Sequence, residues 1–397
     1  MIVLHIITAL NFGGAETMLC KYLENNKADN TKSIVLSLMK PGPKAAAIKA
    51  LGIPVYTLGM KHWFPGPLEA LRLIRLVNII RPDLIHGWMY HGNLAASFAH
   101  AFSAPNLPLV WNVRHSLADP KRESWRTRGL LKLSATISRR PSAIIYNSAA
   151  AAIQHQNVGY SPKNAVILPN GFDFDLFRPN GEARTRLNLE YGIDPNTVLV
   201  GKVARLHPMK DHAMLVKAVA LARAQGHDLH LLMVGEGLAS PPQELQDEIT
   251  SLLPPNRVTL IGARSDVADL IPGLDILAVA SAWGEGFPNV IGEALACQVP
   301  IVATDVGDSA VIVADSGLIV LPGDTSGFAN ALAEMAALGP EGRKSLGLAG
   351  RNRGKEKYGL KEISMRYNKL HSDLIGTKSG SFMKSVLQND TARMPKP

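Results

Sequence analysis

Short apolar runs alternate with longer Ala/Leu-rich segments along almost the whole chain. Ile2–Thr8, Lys32–Leu38, Leu84–Gly87, Leu109–Val113 and Ala143–Tyr146 read as strands with helices between them. The alternation restarts near Val198, where "VLVGKVA", "LHLLMVG", "VTLIG", "ILAVAS" and "IVATD" form a second series. Regular strand–helix alternation makes parallel sheets covered by helices. Two batches of about five or six strands predict an α/β chain of two Rossmann-like, doubly wound domains facing across a cleft. Between them lies "LPNGFDFDLFRPNGEAR", rich in Pro, Gly and Asp, which reads as the linker. The expected organisation is a first domain over 1–178, a second over 179–376 and a disordered tail over 377–397, within which "SFMKSVL" is a short candidate for binding a partner. The last helix is expected at Leu360–Ile375. In open α/β sheets ligands sit at the carboxyl ends of the strands, so two such edges place the site between the domains.

Composition narrows the class of partner. With 46% hydrophobic and 19% charged residues the chain can bury a full core. Its net charge of +9 favours an anionic partner: nucleic acid, a phosphorylated small molecule or an acidic membrane surface. No nucleic-acid-binding module is present, so no nucleic acid is expected. Cys20 and Cys297 form neither a disulfide framework nor a CxxC pattern, which suits a reducing cytosol. The start, "MIVLHIITALNFGGAE", does not read as a signal peptide, and no apolar run reaches the roughly 20 residues of a spanning helix. A cytoplasmic protein, at most peripheral on the inner membrane face, is the expectation.

"GEGFPNVIGEAL" holds two carboxylates, Glu285 and Glu293, with seven residues between them. Pro288 suits the first position of a helix running to Cys297, and Gly284 and Gly286 favour a tight turn before it. At ~1.5 Å rise per residue the carboxylates lie up to about 12 Å apart. A hydrolytic pair is closer, about 5–9.5 Å, and faces one bond from both sides. Free amides from Pro288 to Ile291 instead make a phosphate site. A glutamate, a helix N-terminus and a second glutamate suit a sugar, a diphosphate and a ribose. Alone, Glu285 reads as a surface loop residue and Glu293 as a solvated helix residue; the full stretch favours the ligand.

In "VGKVARLHPMKDHAMLVKA" a strand runs into a loop carrying Arg205 and Lys210. A guanidinium fork and an ammonium point charge can bracket a diphosphate. Asp211 reads as a helix cap. "LLMVGEGL" turns at Gly235 and Gly237, and "IGARSDVADLI" offers Arg264 and Asp266 after another strand, while Ser281 ends the next one. At the N-terminus Gly13 and Gly14 separate a strand from a helix without a GxGxxG fingerprint. Among the histidines, His115 follows a strand at the cleft edge, His91 is its alternative, and His5 reads as buried and inert.

The segment "SAWGEGFPNVIGEALACQVPIVATDVG" closely resembles the signature of the GT-B-fold glycosyltransferases of family 4, the large retaining group. The resemblance covers nearly the whole chain, to about residue 375. It implies that Glu285 contacts the donor sugar and Glu293 the ribose, with Gly286, Phe287, Pro288, Asn289 and Val290 against sugar and diphosphate. It implies that Arg205 and Lys210 grip the diphosphate and that Gly235, Arg264 and Ser281 line the nucleotide and donor loop. Gly13 and Gly14 would lie across the cleft from the phosphates, and His115 would approach the sugar. The implied reaction is metal-independent transfer of a hexose-type sugar from a nucleoside diphosphate donor to a hydroxyl of a growing, lipid-linked glycan. The implied catalytic set is Glu285, His115, Arg205 and Lys210.

No cofactor is expected. "DFD" at Asp173–Asp175 looks like a cation-binding DxD but sits at the linker edge. A basic run from Arg114 to Arg140, with Trp111 and Trp125, reads as an acceptor- or membrane-facing surface that attracts lipid phosphates, such as those of an anionic membrane surface, or as a solvated face, and Trp63–Phe64 as another lipid-facing loop. Competing readings are a nucleotide-sugar epimerase of similar build and a non-catalytic carbohydrate- or nucleotide-binding protein.

Overall fold

The computed structural model describes residues 1–11, 13–26, 31–61, 66–117 and 123–376. Two parallel sheets carry the fold. The first has seven strands: β1 (Ile2–Ile7), β2 (Lys32–Met39), β3 (Val55–Met60), β4 (Leu84–Trp88), β5 (Leu109–Val113), β6 (Ala143–Tyr146) and β7 (Ala165–Ile167), in the order β3-β2-β1-β4-β5-β6-β7. The second has six: β8 (Val198–Val203), β9 (Leu229–Val234), β10 (Val258–Ile261), β11 (Ile276–Val279), β12 (Ile301–Thr304) and β13 (Gly317–Val320), in the order β10-β9-β8-β11-β12-β13. Every ladder in both is parallel. Central strands such as β5 and β9 are buried throughout, because helices cover both faces; their sequences are therefore near-continuous apolar runs. This is the two-domain, doubly wound α/β architecture expected of the sequence.

The strand order reverses between β1 and β4 in one sheet and between β8 and β11 in the other. Crevices open at such switch points, beyond the carboxyl ends of the strands. The loops leaving β8 and β11 carry Arg205, Lys210, Ser281 and Glu285.

The chain crosses between the units twice, side by side. Phe172 N–H donates to the Tyr358 carbonyl and Leu360 N–H to the Phe172 carbonyl, both at 2.8 Å. The reading that the second unit runs to residue 376 is therefore corrected. Helix Leu360–Gly376 returns to the first sheet, where Leu360, Ile363, Tyr367 and Leu370 pack with Val3, Ile7, Leu19 and Trp88. These four residues form one stripe at helical spacing, which the first sheet buries. The tail over 377–397 lies outside the described residues.

Beneath this helix three imidazoles meet without exposure. His371 Nε2 lies 3.2 Å from His86 Nδ1, and Trp88 Nε1–H donates to His5 Nδ1 at 3.2 Å. Burial first, and the neighbouring His371 charge second, hold His5 and His86 well below the usual range, and burial pushes His371 down to about 4. An unfolded chain binds protons at these sites below pH ~6.5 that the folded one refuses, so stability present above that pH is lost as pH falls toward about 4. His155, His212 and His230, also depressed, act in the same direction. The denaturation midpoint should therefore drop steadily between pH 6.5 and pH 4, and His371→Phe should flatten part of that slope. A midpoint constant across this window would contradict the assignment.

Candidate active site

Two loops of the second unit form the centre of the site. The first leaves β8. Asp211, in a left-handed conformation with φ of 43°, caps helix His212–Ala224 by accepting from Met214 N–H at 3.1 Å, as the sequence suggests. Beneath the loop Lys202, 2% exposed, donates from Nζ to the Lys210 carbonyl at 2.5 Å. Burial, then the neighbouring Lys210 charge, pull the Lys202 pKa down to about 7. Its one signal in the sequence is a lysine inside the otherwise apolar run "VLVGKVA". Gly235 supports the same loop from β9. A Cβ there would sit 2.0 Å from the Ala204 carbonyl oxygen, and its φ of 158° lies at the edge of the glycine-favouring region.

The second loop leaves β11 and is tied to the first by Ala282 N–H donating to the Met209 carbonyl at 2.8 Å. Gly284, at φ of 79°, turns the chain so that Glu285 points back toward β8. Glu285, 8% exposed as a residue, accepts through its carboxylate from Ser281 Oγ at 2.7 Å and pairs with Lys210. Arg205, on the same loop as Lys210, is exposed, with no ion-pair partner among the described residues. Sequence reasoning had Lys210 and Glu285 holding different parts of a ligand; the structure joins them directly.

Helix Asn289–Ala296 follows, with Pro288 at the cap rather than, as expected, at the first helical position. Pro288 has no N–H, and Ile291 N–H is taken by the Pro288 carbonyl at 3.2 Å, leaving Asn289 and Val290 as the amide donors at the positive end of the helix. The Phe287 side chain does not face the crevice. It stacks on Phe172 of the linker with centroids 5.9 Å apart and anchors the loop. Gly292 is required there too, since a Cβ would sit 2.1 Å from the Phe172 ring. Glu293 is half-buried on this helix. Burial raises its pKa above the usual carboxylate range, opposed by Lys21 of the first unit.

The first unit closes over this edge. Gly286 faces Ser116, Asn147 and Ser148, each 3.5 Å from where its Cβ would lie. Asp308 accepts from Ala149 and Ala150 N–H at 2.9 and 3.0 Å, capping a helix of the first unit, while its own N–H donates to the Gly286 carbonyl at 3.0 Å. Asn170 Nδ2 donates to Asn289 Oδ1 at 2.6 Å. Gly13 caps helix Gly14–Asn25 at the end of β1, and Gly14 has open space about it. His115 follows β5, its Nδ1 3.2 Å from Tyr90 Oη and its Nε2 3.6 Å from Glu123. Burial lowers the His115 pKa, opposed by Glu123. His91 is half-buried, with its pKa lowered by burial.

Other expected residues are placed differently. Arg264 is held by Asp266, Glu190 and Tyr191, with four hydrogen bonds of 2.5–2.9 Å. Its guanidinium is largely taken up at the sheet edge and is not part of the Glu285 cluster. Arg114 does not belong to the exposed basic face. It is bound to Tyr367 Oη at 2.8 Å and to Asn170, and burial lowers its pKa. Asp173 Oδ1 accepts from Asp175 and Leu176 N–H, both at 2.9 Å, so it makes a turn at the linker edge. Lys121, Arg122, Trp63 and Phe64 lie outside the described residues.

The arrangement can bind an anion between two cations and a helix end while a carboxylate beside it accepts from hydroxyls. Comparisons with known proteins agree with this chemistry. Residues 195–337 match the model of the glycosyl transferases group 1, and residues 12–176 that of glycosyltransferase family 4. The chain is 30% identical over 331 residues to a D-inositol 3-phosphate glycosyltransferase of Segniliparus rotundus, covering 75% of this chain and 71% of the relative. Among solved structures, Alr3699/HepE of Anabaena in complex with UDP aligns with a TM-score of 0.80 at 23% identity, over 94% of this chain and 100% of the other. The lipopolysaccharide outer core galactosyltransferase WaaB aligns at 0.70 and 17%, over 94% and 99%.

Proposed function

The chain belongs to glycosyltransferase family 4, the glycosyl transferases group 1 with the GT-B fold, and on that premise we propose that it moves a hexose-type sugar, with retention, from a nucleoside diphosphate donor to a hydroxyl of a growing lipid-linked glycan, as in cell-surface polysaccharide or lipopolysaccharide synthesis. Use of a nucleotide sugar follows from the family; the sugar, acceptor and residue roles are the proposal. The observation that carries it is the Lys210–Glu285–Ser281 cluster at the switch point of the second sheet, with Arg205 exposed on the loop that carries Lys210. The second unit is the donor-binding one and the first the acceptor-binding one.

In this reading the departing diphosphate is stabilised by Lys210, Arg205 and the Asn289 and Val290 amides, groups already oriented before charge develops. Buried Lys202 holds Lys210 from below. Glu285 accepts from hydroxyls of the sugar, His115 approaches the same ring, and Glu293 accepts from the ribose. Ser281, Gly286, Phe287 and Pro288 shape the donor loop, Gly13 and Gly14 face the phosphates from the first unit, and Gly235 and Arg264 lie toward the nucleobase. Substitution proceeds on one face of the sugar, with the leaving diphosphate taking the acceptor's proton. Two cations and a helix end neutralise the diphosphate, so no metal is invoked.

The test is a panel of nucleoside diphosphate hexoses incubated with membrane lipid extract, with and without EDTA, read by mass spectrometry. Transfer of one hexose to a lipid, unchanged by EDTA, is expected. Loss of activity that magnesium or manganese restores would overturn metal independence. Conversion of donor without acceptor would make the protein an epimerase, and absence of any turnover would make it a binding protein. Because HepE is a complex with UDP, UDP-hexoses lead the panel.

No helix of the described residues is long and apolar enough to cross a membrane. A cytoplasmic, peripheral location is supported by helix Trp125–Ile137. It exposes Trp125, Arg126, Arg128, Lys132 and Leu133, and exposed Arg139 and Arg140 follow it. Such a face binds anionic lipid, with salt screening it over about 8–10 Å near physiological strength. Binding to anionic liposomes should weaken with salt and on replacing Arg126, Arg128 and Lys132 by Ser. Equal binding to neutral liposomes at high salt would point instead to Trp63–Phe64.

A further inference from the structure

Tyr90 lies at the start of helix Met89–Ser103, and its hydroxyl sits between two imidazoles. It is 3.2 Å from His115 Nδ1 and 2.8 Å from His155 Nε2. His155 is fully buried on helix Ala149–Asn157, with Nδ1 2.7 Å from the Ala151 carbonyl oxygen. A carbonyl only accepts, so the hydrogen at that contact belongs to His155 Nδ1. Burial pushes the His155 pKa down to about 4, so the ring is neutral near neutral pH. A neutral imidazole carries one N–H, which leaves Nε2 bare. Tyr90 must then donate its single proton to His155. Toward His115 the phenolic oxygen can only accept, so His115 Nδ1 carries the hydrogen and Nε2 keeps a lone pair.

The His115 side chain is 37% exposed, and the next residue, Ser116, lies against Gly286 of the donor loop. We propose that Tyr90 and His155 are positioning residues that fix His115 in its Nδ1–H tautomer, so that Nε2 accepts a hydrogen bond from a hydroxyl of the donor sugar. The proposal rests on the reading that His115 meets that sugar. It adds a selection rule: the sugar must present a hydroxyl at that point, because a carboxylate or carbonyl oxygen would meet a lone pair.

Other groups face the relay. Tyr146 and Tyr160 pack on His155 with ring centroids 5.4 and 5.0 Å away, and both are neutral at working pH. Glu123, 3.6 Å from His115 Nε2, favours a proton there. That distance is beyond a hydrogen bond and the pair is partly solvated, whereas the Tyr90 contact is within hydrogen-bond range and comes from a buried residue, Tyr90.

The test reads the tautomer directly. Two-bond proton–nitrogen correlation spectra of the ¹⁵N-histidine-labelled, ligand-free protein report which ring nitrogens carry protons, and His115→Gln assigns the His115 signals. Wild type should show a bare His115 Nε2. Tyr90→Phe should give a mixture of tautomers and lower turnover roughly two- to tenfold, the worth of one neutral hydrogen bond. His155→Phe should invert the tautomer, since Tyr90 then has His115 Nδ1 as its acceptor, and should lower turnover further. Adding Tyr90→Phe to His155→Phe should restore the mixture and part of the activity, whereas purely structural damage would accumulate. A protonated Nε2 in wild type, or a tautomer unmoved by Tyr90→Phe, overturns the relay; Tyr90→Phe keeps the fold in play should His155→Phe not fold. Full turnover by His115→Gln would instead remove His115 from the donor while leaving the spectra to decide the relay.

Discussion

Lys210→Ala is expected to lower turnover roughly a hundredfold, about 2.7 kcal/mol of barrier, in a protein that remains folded by circular dichroism. The side chain does two things at once. In the proposed reaction it supplies a cation beside the leaving diphosphate, and in the structure it pairs with Glu285, a residue only 8% exposed. Removing it leaves that carboxylate with the Ser281 hydroxyl but without its cation, and an uncompensated buried charge is costly. Arg205 is exposed and has no ion-pair partner among the described residues, so Arg205→Ala loses only the proposed charge contact and should cost about tenfold. The order of the two effects, measured as kcat at saturating donor, distinguishes this site from a generic basic patch, where both substitutions would act alike.

Glu285→Gln is expected to lower kcat about a hundredfold with a smaller change in donor KM. It keeps the size of the side chain but breaks the ion pair with Lys210 and, in the proposed reaction, removes the charged acceptor facing the sugar as the bond to diphosphate breaks. Glu293→Gln should do the reverse, raising KM about tenfold with kcat little changed, since the ribose lies away from the reacting bond. A donor analogue without ribose hydroxyls should bind wild type more weakly and lose little further with Glu293→Gln. If Glu293→Gln abolishes kcat while Glu285→Gln alters only KM, the donor lies end for end in the cleft.

The central strands and the site loops could be read from sequence because their signals are local. A strand covered on both faces is apolar along its whole length, and β5 and β6 lie where the apolar runs place them. β3, β7 and β13 are less distinct because they are sheet edges: Val55–Met60 is mostly exposed or half-buried, and Ala165–Ile167 and Gly317–Val320 are half-buried throughout. The return of helix Leu360–Gly376 to the first sheet depends on partners hundreds of residues away, such as Asn112 Nδ2 donating to Tyr367 Oη at 3.0 Å. No local pattern carries that. At the site, glycines, cations and carboxylates stood out by type and spacing, but their pairing did not. The Lys210–Glu285 contact, the buried Lys202, the Asp308 cap and the contacts of Arg264 with Glu190 and Tyr191 each require knowing which distant segments meet in the fold.

The central claim is that a second phosphate sits on Arg205 and Lys210, and titration calorimetry tests it without knowledge of the acceptor. Uridine diphosphate and uridine monophosphate differ by that phosphate alone. Wild type should bind the diphosphate at least about tenfold more tightly, equivalent to roughly 1.4 kcal/mol, and the difference should collapse in the Arg205→Ala/Lys210→Ala double variant while monophosphate affinity changes little. Equal binding of the two nucleotides by wild type, or a preference for the diphosphate that survives in the double variant, would contradict the account.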